Sequence, residues 1–375
     1  MDYEQIRKII ESCHLNFLIG SGASKPFLGT LGTIEQLLTD LSHEPDSDDK
    51  TVVDSSIKRH YFDVAIQGNL EIENGTDSGL LATKKEYEKF FGALSIILNK
   101  RKSNLISKQV NVFTTNMDLF MEYALEEMEL VFNDGFSGRL KPKFGTENFN
   151  NTIKKTSSHY EYQSEVPLFK IYKLHGSVNW KFDTDKIQFD HNLSILQNVK
   201  AKMGTTAEFK QIEYKDAQNK WQTYKVADLL KSVPSKSQLH EDFLEAYNQL
   251  VMINPTKEKF ETTTRDLTFY ELLRMYSNQL EKENSVLFVF GFSFADEHIR
   301  EITKRVASSN PTLLIIIFAF DKVSKEAIEK EIPARSNIKY IYDDSDTLKY
   351  SLETINKNYF SRLADDLEKG IKSEA

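Results

Sequence analysis

A glycine-rich turn is the first feature of the sequence that could support chemistry. In NFLIGSGASKP, the turn GSGAS follows an apolar run and precedes a helical pattern at 33–41. Glycines let a backbone approach a diphosphate closely, and N–H groups near a helix start supply positive potential. The turn therefore predicts a phosphate cradle, and an unliganded tight turn is the alternative. The cradle residues are Gly20, Ser21, Gly22, Ala23 and Ser24.

The second motif, VFTTNMD, carries polar side chains directly after an apolar run. Thr115, Asn116 and Asp118 would then lie at the carboxyl end of a strand, where open α/β sheets form their ligand crevice. An amide such as that of Asn116 can fix a ribose hydroxyl or a water molecule. The alternative is that Asn116 or Asp118 caps the helix that follows.

The third motif, LHGS, places His175 and Gly176 after another apolar run. Histidine exchanges protons near neutral pH, and a neighbouring glycine leaves room for a substrate. A buried structural histidine is the alternative interpretation.

The fourth motif, GFSFADEHI, follows the apolar run SVLFVF. Gly291 is small enough to admit an adenosine, while Ser293, Asp296 and His298 stand near a helix start that could hold ribose or phosphate. The alternative is a helix capped by Ser293 or Asp296, with His298 in solvent.

The spacing of apolar residues predicts the elements that position these motifs. Core strands are predicted at 16–19, 110–114, 170–174, 250–253, 286–290 and 313–320, with 338–342 as a seventh. Helices are predicted at 118–129, 268–283 and 296–308. This alternation favours an α/β fold with a doubly wound, mostly parallel, Rossmann-like sheet. The whole chain, 1–375, is predicted to be one domain, with insertions at about 41–101 and 182–249 forming a smaller, partly helical subdomain.

Composition limits the classes of function. The net charge of −8 gives no general attraction to nucleic acid, so no direct nucleic-acid binding is expected. A single cysteine, Cys13, cannot build a cysteine-rich zinc site, and no metal ligands are predicted. The longest apolar stretch, 313–320, is too short to span a bilayer, and the first residues do not resemble a secretion signal. A cytoplasmic protein that does not associate with membranes is therefore expected.

Taken together, GSGAS, TTNMD, LHGS and GFSFADEHI resemble the sirtuin-like NAD-binding domains of bacterial antiphage proteins, over about 17–298. Sirtuin deacylases share the Asn-x-Asp, His-Gly and later glycine positions, which correspond here to Asn116, Asp118, His175, Gly176 and Gly291. They also carry a four-cysteine zinc module, which one cysteine cannot supply. The resemblance therefore implies an NAD glycohydrolase, with NAD as substrate and no zinc, that depletes NAD during infection.

The resemblance also implies how such an enzyme works and with what it assembles. Asn116 would orient the ribose and the attacking water, and His175 would accept a proton. The chain most resembles the stand-alone subunit that forms homo-oligomers and pairs with a HerA-type hexameric ATPase. A short Argonaute partner or a phage protein trigger is the alternative. A non-catalytic scaffold or sensor that binds NAD or ADP-ribose, and an NAD-dependent protein deacylase, remain alternative functions.

Overall fold

The computed structural model describes residues 1–30, 32–101, 106–159, 162–253 and 264–372. The strands in this part of the chain are β1 (His14–Ile19), β2 (Gln109–Thr114), β3 (Phe132–Asn133), β4 (Phe136–Ser137), β5 (Lys143–Phe144), β6 (Lys154–Thr156), β7 (Gln163–Glu165), β8 (Leu168–Lys173), β9 (Trp180–Asp183), β10 (Lys186–Phe189), β11 (Glu213–Lys215), β12 (Trp221–Thr223), β13 (Ser285–Phe290), β14 (Leu314–Phe318) and β15 (Ile338–Ile341). The α-helices are α1 (Tyr3–Ser12), α2 (Ile34–Ser42), α3 (Asp48–Tyr61), α4 (Ser78–Lys100), α5 (Phe120–Glu127), α6 (Ser194–Ala201), α7 (Val226–Leu229), α8 (Gln238–Tyr247), α9 (Thr264–Leu280), α10 (Glu297–Ser309), α11 (Lys322–Glu331), α12 (Leu352–Ile355) and α13 (Ser361–Lys372).

Seven strands form a central sheet in the order β15-β14-β13-β1-β2-β8-β3, and all neighbouring pairs are parallel. The chain runs from β1 to β2 on one side and later returns to β13 on the other side of β1. The strand order therefore reverses between β1 and β13, and open α/β sheets bind ligands at the carboxyl ends of strands at such a reversal. The prediction of a doubly wound, Rossmann-like α/β fold is confirmed.

Both faces of this sheet are covered, as the continuous apolar runs predict. On one face Phe17 of β1 packs edge-on against Phe90 of α4, with ring centroids 5.2 Å apart. On the other face Leu18 lies in a second buried cluster with Tyr276 of α9 and Ile299 of α10. Successive side chains of β1 therefore pack into different hydrophobic clusters on the two faces of the sheet. A shift of one residue would exchange these faces, so the pattern fixes the register of β1 and the position of the turn that follows it.

The two segments predicted as insertions contact each other. The backbone N–H of Lys210 donates to Ser56 Oγ at 2.9 Å, and Arg59 Nε donates to the carbonyl of Met203 at 2.8 Å. The first segment, 41–101, also contains α4, which covers the central sheet. That helix is the crossover between β1 and β2, so this part of the segment belongs to the doubly wound layer.

The strand predicted at 250–253 is wrong. Leu250, Val251 and Met252 are buried, but they form only an isolated antiparallel bridge, between Met252 and Gly176. A short buried apolar run does not by itself distinguish a strand from an extended segment that covers a loop. Here it covers the loop that carries His175, because the backbone N–H of Ile253 donates to the carbonyl of His175 at 3.0 Å.

The strands β4, β5, β10 and β9 form a separate sheet that was not predicted. Its strand β9 starts shortly after the third motif, LHGS, in the sequence. Its aromatic core includes Phe144 and Trp180, whose ring centroids lie 4.7 Å apart. Among the helices of the described residues, none combines the length and the apolar composition needed to cross a membrane.

Candidate functional site

The turns after β1 and β13 contact each other through their backbones at the strand-order reversal. The N–H of Gly22 donates to the carbonyl of Gly291 at 3.0 Å. A Cβ on Gly291 would lie 2.5 Å from the nitrogen of Ala23, and the residue has a positive φ of 63°. Glycine is therefore needed here for close backbone packing.

This packing engages backbone donors that the predicted phosphate cradle would need. The N–H groups of Gly22 and Ala23 both donate within the protein, to the carbonyls of Gly291 and Gly20, each at 3.0 Å. They are therefore not available to a diphosphate in this conformation. Ser21 is half-buried, Gly22 is exposed, and Ala23 and Ser24 are buried.

Asn116 lies directly beneath this turn and is 4% exposed. Its Nδ2 donates to the carbonyl of Gly20 at 3.1 Å and to Ser24 Oγ at 3.3 Å. Its Oδ1 is buried and has no hydrogen-bond partner within the described part of the chain. Because an unpaired buried acceptor is costly, this oxygen is suited to a ribose hydroxyl or a water molecule as its donor.

Ser24 and Asp118 contact each other inside the protein. Ser24 Oγ donates to Asp118 Oδ2 at 2.7 Å and lies 3.1 Å from the hydroxyl of Tyr87 on α4. Burial, and then the Asp118 charge, hold the pKa of Tyr87 well above its ordinary value. In this conformation Ser24 and Asp118 fix the turn to α4 and to the loop after β2. Their predicted contact with the cofactor stays a prediction.

A buried ion pair supports the same loop. Lys173, at the end of β8, lies 3.1 Å from Glu122 on α5, and Lys173 Nζ also donates to the carbonyls of Asn116 and Asp118. Burial raises the pKa of Glu122, and the Lys173 charge opposes that shift. Sequence reasoning missed this pair, although Lys173, one of two lysines within the largely apolar run LFKIYKL, was a usable signal.

His175 is paired with Asp296. His175 Nε2 lies 3.1 Å from Asp296 Oδ2, and their side chains are 18% and 9% exposed. Asp296 is also the N-cap of α10, because its Oδ1 accepts from the N–H of Ile299 at 3.0 Å. The sequence left a helix cap and a ligand contact as alternatives for Asp296, and it did not predict the pairing with histidine.

The second and third motifs are joined by the loops after β2 and β8. Thr114 and Lys173 are paired in the sheet, so Asn116 and His175 each follow a paired position by two residues. The N–H of Leu174 donates to the carbonyl of Thr114 at 2.8 Å. With the contacts above, all four motifs form one connected set at the carboxyl edge of the sheet.

The remaining predicted residues lie around this set. Thr115 is half-buried, Ser293 is exposed and accepts from the N–H of Ala295 at 3.4 Å, and His298 is exposed on α10. Gly176 has a φ of 84° and lies against the backbone of Val251, where a Cβ would be 2.2 Å from the carbonyl oxygen. Gly176 therefore fixes the path of the loop that carries His175.

Two surface cavities lie away from the motifs. One of about 510 Å³ is lined by α4 and by residues 353–369, and one of about 300 Å³ lies beside Glu129 and Glu165. Within the described ranges, no group of three histidine, cysteine or acidic side chains is arranged to hold a metal ion. The absence of zinc stays a prediction.

Residues 240–341 match a family described as SIR2-like domain. This match supports the predicted resemblance of the chain to a sirtuin-like family. The matched range contains β13 to β15 and the fourth motif, with Gly291, Asp296 and His298, whereas Asn116 and His175 lie outside it. SIR2-like domains are in general NAD-utilising enzymes, so the match is compatible with an NAD-dependent activity. No curated protein matches the chain.

Proposed function

We propose that this chain binds NAD and hydrolyses the bond between nicotinamide and ribose, releasing nicotinamide and ADP-ribose. The observation that carries the proposal is the connected set of four motifs at the strand-order reversal, in which Asn116 and His175 follow paired positions of neighbouring strands. The SIR2-like match supports NAD as the ligand.

The proposed reaction requires little acid catalysis, because nicotinamide leaves as a neutral pyridine that keeps the electron pair of the broken C–N bond. The barrier arises from positive charge that develops on the ribose, and fixed dipoles and good positioning lower it. Water forms the new C–O bond at the ribose carbon, and His175 accepts the proton that the water loses. Asn116 Oδ1, an acceptor without a partner among the described residues, orients the ribose or that water.

The turn 20–24 covers Asn116 in this structure. Asn116 is 4% exposed beneath the turn, and the N–H groups of Gly22 and Ala23 are engaged within the protein. Movement of this turn would expose the amide and release backbone donors for the diphosphate. We therefore expect the turn to be the element that changes conformation when NAD binds.

Nicotinamide release from NAD by Asn116→Ala and His175→Ala tests the proposal. Each change should lower turnover by about 100-fold or more if the side chain acts in the transition state, with the fold retained. Matched controls are His191→Ala and Asn192→Ala, two exposed positions outside the motifs, which should keep wild-type turnover.

Other outcomes of the same assay would contradict the proposal. NAD binding without nicotinamide release by the wild type would favour a scaffold or sensor. Nicotinamide release that depends on an acylated peptide would favour protein deacylation. Full activity in well-folded Asn116→Ala or His175→Ala would exclude the role assigned to that side chain.

We further propose a cellular role in antiphage defence through NAD depletion, with a homo-oligomer regulated by a HerA-type ATPase. This part rests on the resemblance of the four motifs alone. Purification with the products of neighbouring genes, followed by NAD measurement with and without phage lysate, tests it. NAD consumption that no co-purified protein or lysate alters would contradict regulation by a partner.

A further inference from the structure

Asp296 is held by two independent contacts, one through each carboxylate oxygen. Oδ1 accepts from the N–H of Ile299 at 3.0 Å, and Oδ2 lies 3.1 Å from His175 Nε2. The helix cap fixes one oxygen and thereby directs the other at the imidazole. Both oxygens of the Asp296 carboxylate are therefore engaged within the protein in this conformation.

The loop that brings Asp296 to the histidine is conformationally constrained. Phe294 is fully buried and has a φ of 59°, a left-handed conformation that is unfavourable for a bulky residue. Its carbonyl accepts from Arg300 Nη1 at 3.2 Å. Packing of the Phe294 ring and this hydrogen bond hold the bend that leads into Asp296.

The histidine is constrained from its own side. The carbonyl of His175 accepts from the N–H of Ile253 at 3.0 Å, and Gly176 has a positive φ against the backbone of Val251. Both members of the pair therefore sit on fixed backbone, which holds the imidazole within reach of the carboxylate.

We infer that Asp296 is a positioning residue that orients the His175 imidazole for proton transfer, rather than a ligand of the ribose. In the neutral ring, Nε2–H donates to the carboxylate and Nδ1 keeps the lone pair that accepts a proton. The carboxylate then stabilises the imidazolium that forms, as in other carboxylate–histidine pairs. This inference rests on the function proposed above.

Two substitutions separate positioning from helix capping. Asp296→Ser keeps a residue that can cap α10 but removes the acceptor for the imidazole, and Asp296→Asn removes the charge at nearly constant shape. The matched control is Asp321→Ser, because Asp321 caps α11 by accepting from the N–H of Ser324 at 2.8 Å. Both Asp296 variants should lower kcat by about 10-fold to 100-fold with little change in KM, and Asp321→Ser should leave both unchanged.

Combination with His175→Ala provides a readout that a purely structural role would not give. If Asp296 acts through the imidazole, Asp296→Asn should cause no further loss of kcat in the His175→Ala background. An equal additional loss in that background, or a loss confined to a raised KM, would overturn the inference in favour of a structural or ribose-binding role.

Proton NMR of histidine-labelled protein tests the His175–Asp296 pair without an activity measurement. The imidazole N–H of His175, identified by its loss in His175→Ala, should exchange slowly in the wild type and in Asp321→Ser and become fast in Asp296→Ser. Slow exchange together with no NAD hydrolysis would refute the proposed function and leave the pairing intact. Turnover that needs His175 but is unaffected in Asp296→Asn would refute the positioning role alone.

Discussion

Replacement of Lys173 by methionine should destabilise the protein in a pH-dependent way. The Lys173 side chain is 2% exposed, and its Nζ lies 3.1 Å from Glu122 Oε1. Methionine keeps most of the volume but leaves the Glu122 carboxylate buried without its cation. Removal of one member of a buried ion pair costs about 3–5 kcal/mol. The loop that holds Asn116 and Asp118 also loses two donors to its carbonyls.

The sign of the pH dependence follows from Glu122. Burial already raises its pKa, and loss of the opposing Lys173 charge should raise the pKa further. A carboxyl group whose pKa is higher in the folded protein than in the unfolded chain, where it is about 4.3, stabilises the fold at pH values below about 4.3. That stabilisation is lost as pH rises through the folded pKa. The deficit of Lys173→Met relative to the wild type should therefore be smaller at pH 5 than at pH 8.

Urea unfolding at these two pH values measures the effect. The double variant Lys173→Met/Glu122→Gln should recover part of the lost stability, because it buries no uncompensated charge. The solvent-accessible pair Lys304–Glu301, at 2.9 Å, provides the control, and Lys304→Met should leave the stability nearly unchanged at both pH values. A deficit for Lys173→Met below about 1 kcal/mol, or one that is equal at both pH values, would refute the reasoning.

Two further predictions concern the turn after β1. Gly291→Ala should lower the free energy of unfolding in urea by about 2–4 kcal/mol, because φ is 63° and the new Cβ would lie 2.5 Å from the nitrogen of Ala23. The control is Gly370→Ala, where a Cβ would meet nothing within 4 Å. Its free energy of unfolding should stay within about 1 kcal/mol of the wild-type value. Ser24→Ala should cost about 1–3 kcal/mol by thermal or urea unfolding, because Asp118 Oδ2 loses its 2.7 Å donor; unchanged stability in either test variant would contradict the packing described for this turn.

The sheet could be predicted because its strands are apolar on successive residues. Such runs need cover on both faces, which a parallel sheet between helices provides. The same reasoning failed at 250–253, where an equally apolar run covers the His175 loop. Side-chain apolarity reports burial, but it does not report which backbone partner supplies the hydrogen bonds.

The candidate site was predictable at the level of motifs and less so at the level of contacts. Strand ends bring Asn116 and His175 to one edge of the sheet, and their motif order indicated this. The pairing of His175 with Asp296 joins residues 121 positions apart through a bend at Phe294 with positive φ. A sequence pattern gives no sign of such a bend for phenylalanine.

The most direct test of the central claim is the release of nicotinamide from NAD by the wild type, Asn116→Ala and His175→Ala at equal concentrations. We expect equimolar nicotinamide and ADP-ribose from the wild type, with both variants slower by about 100-fold or more. Nicotinamide release at the wild-type rate by both folded variants would contradict this claim, as would a wild type that binds NAD and leaves the bond intact.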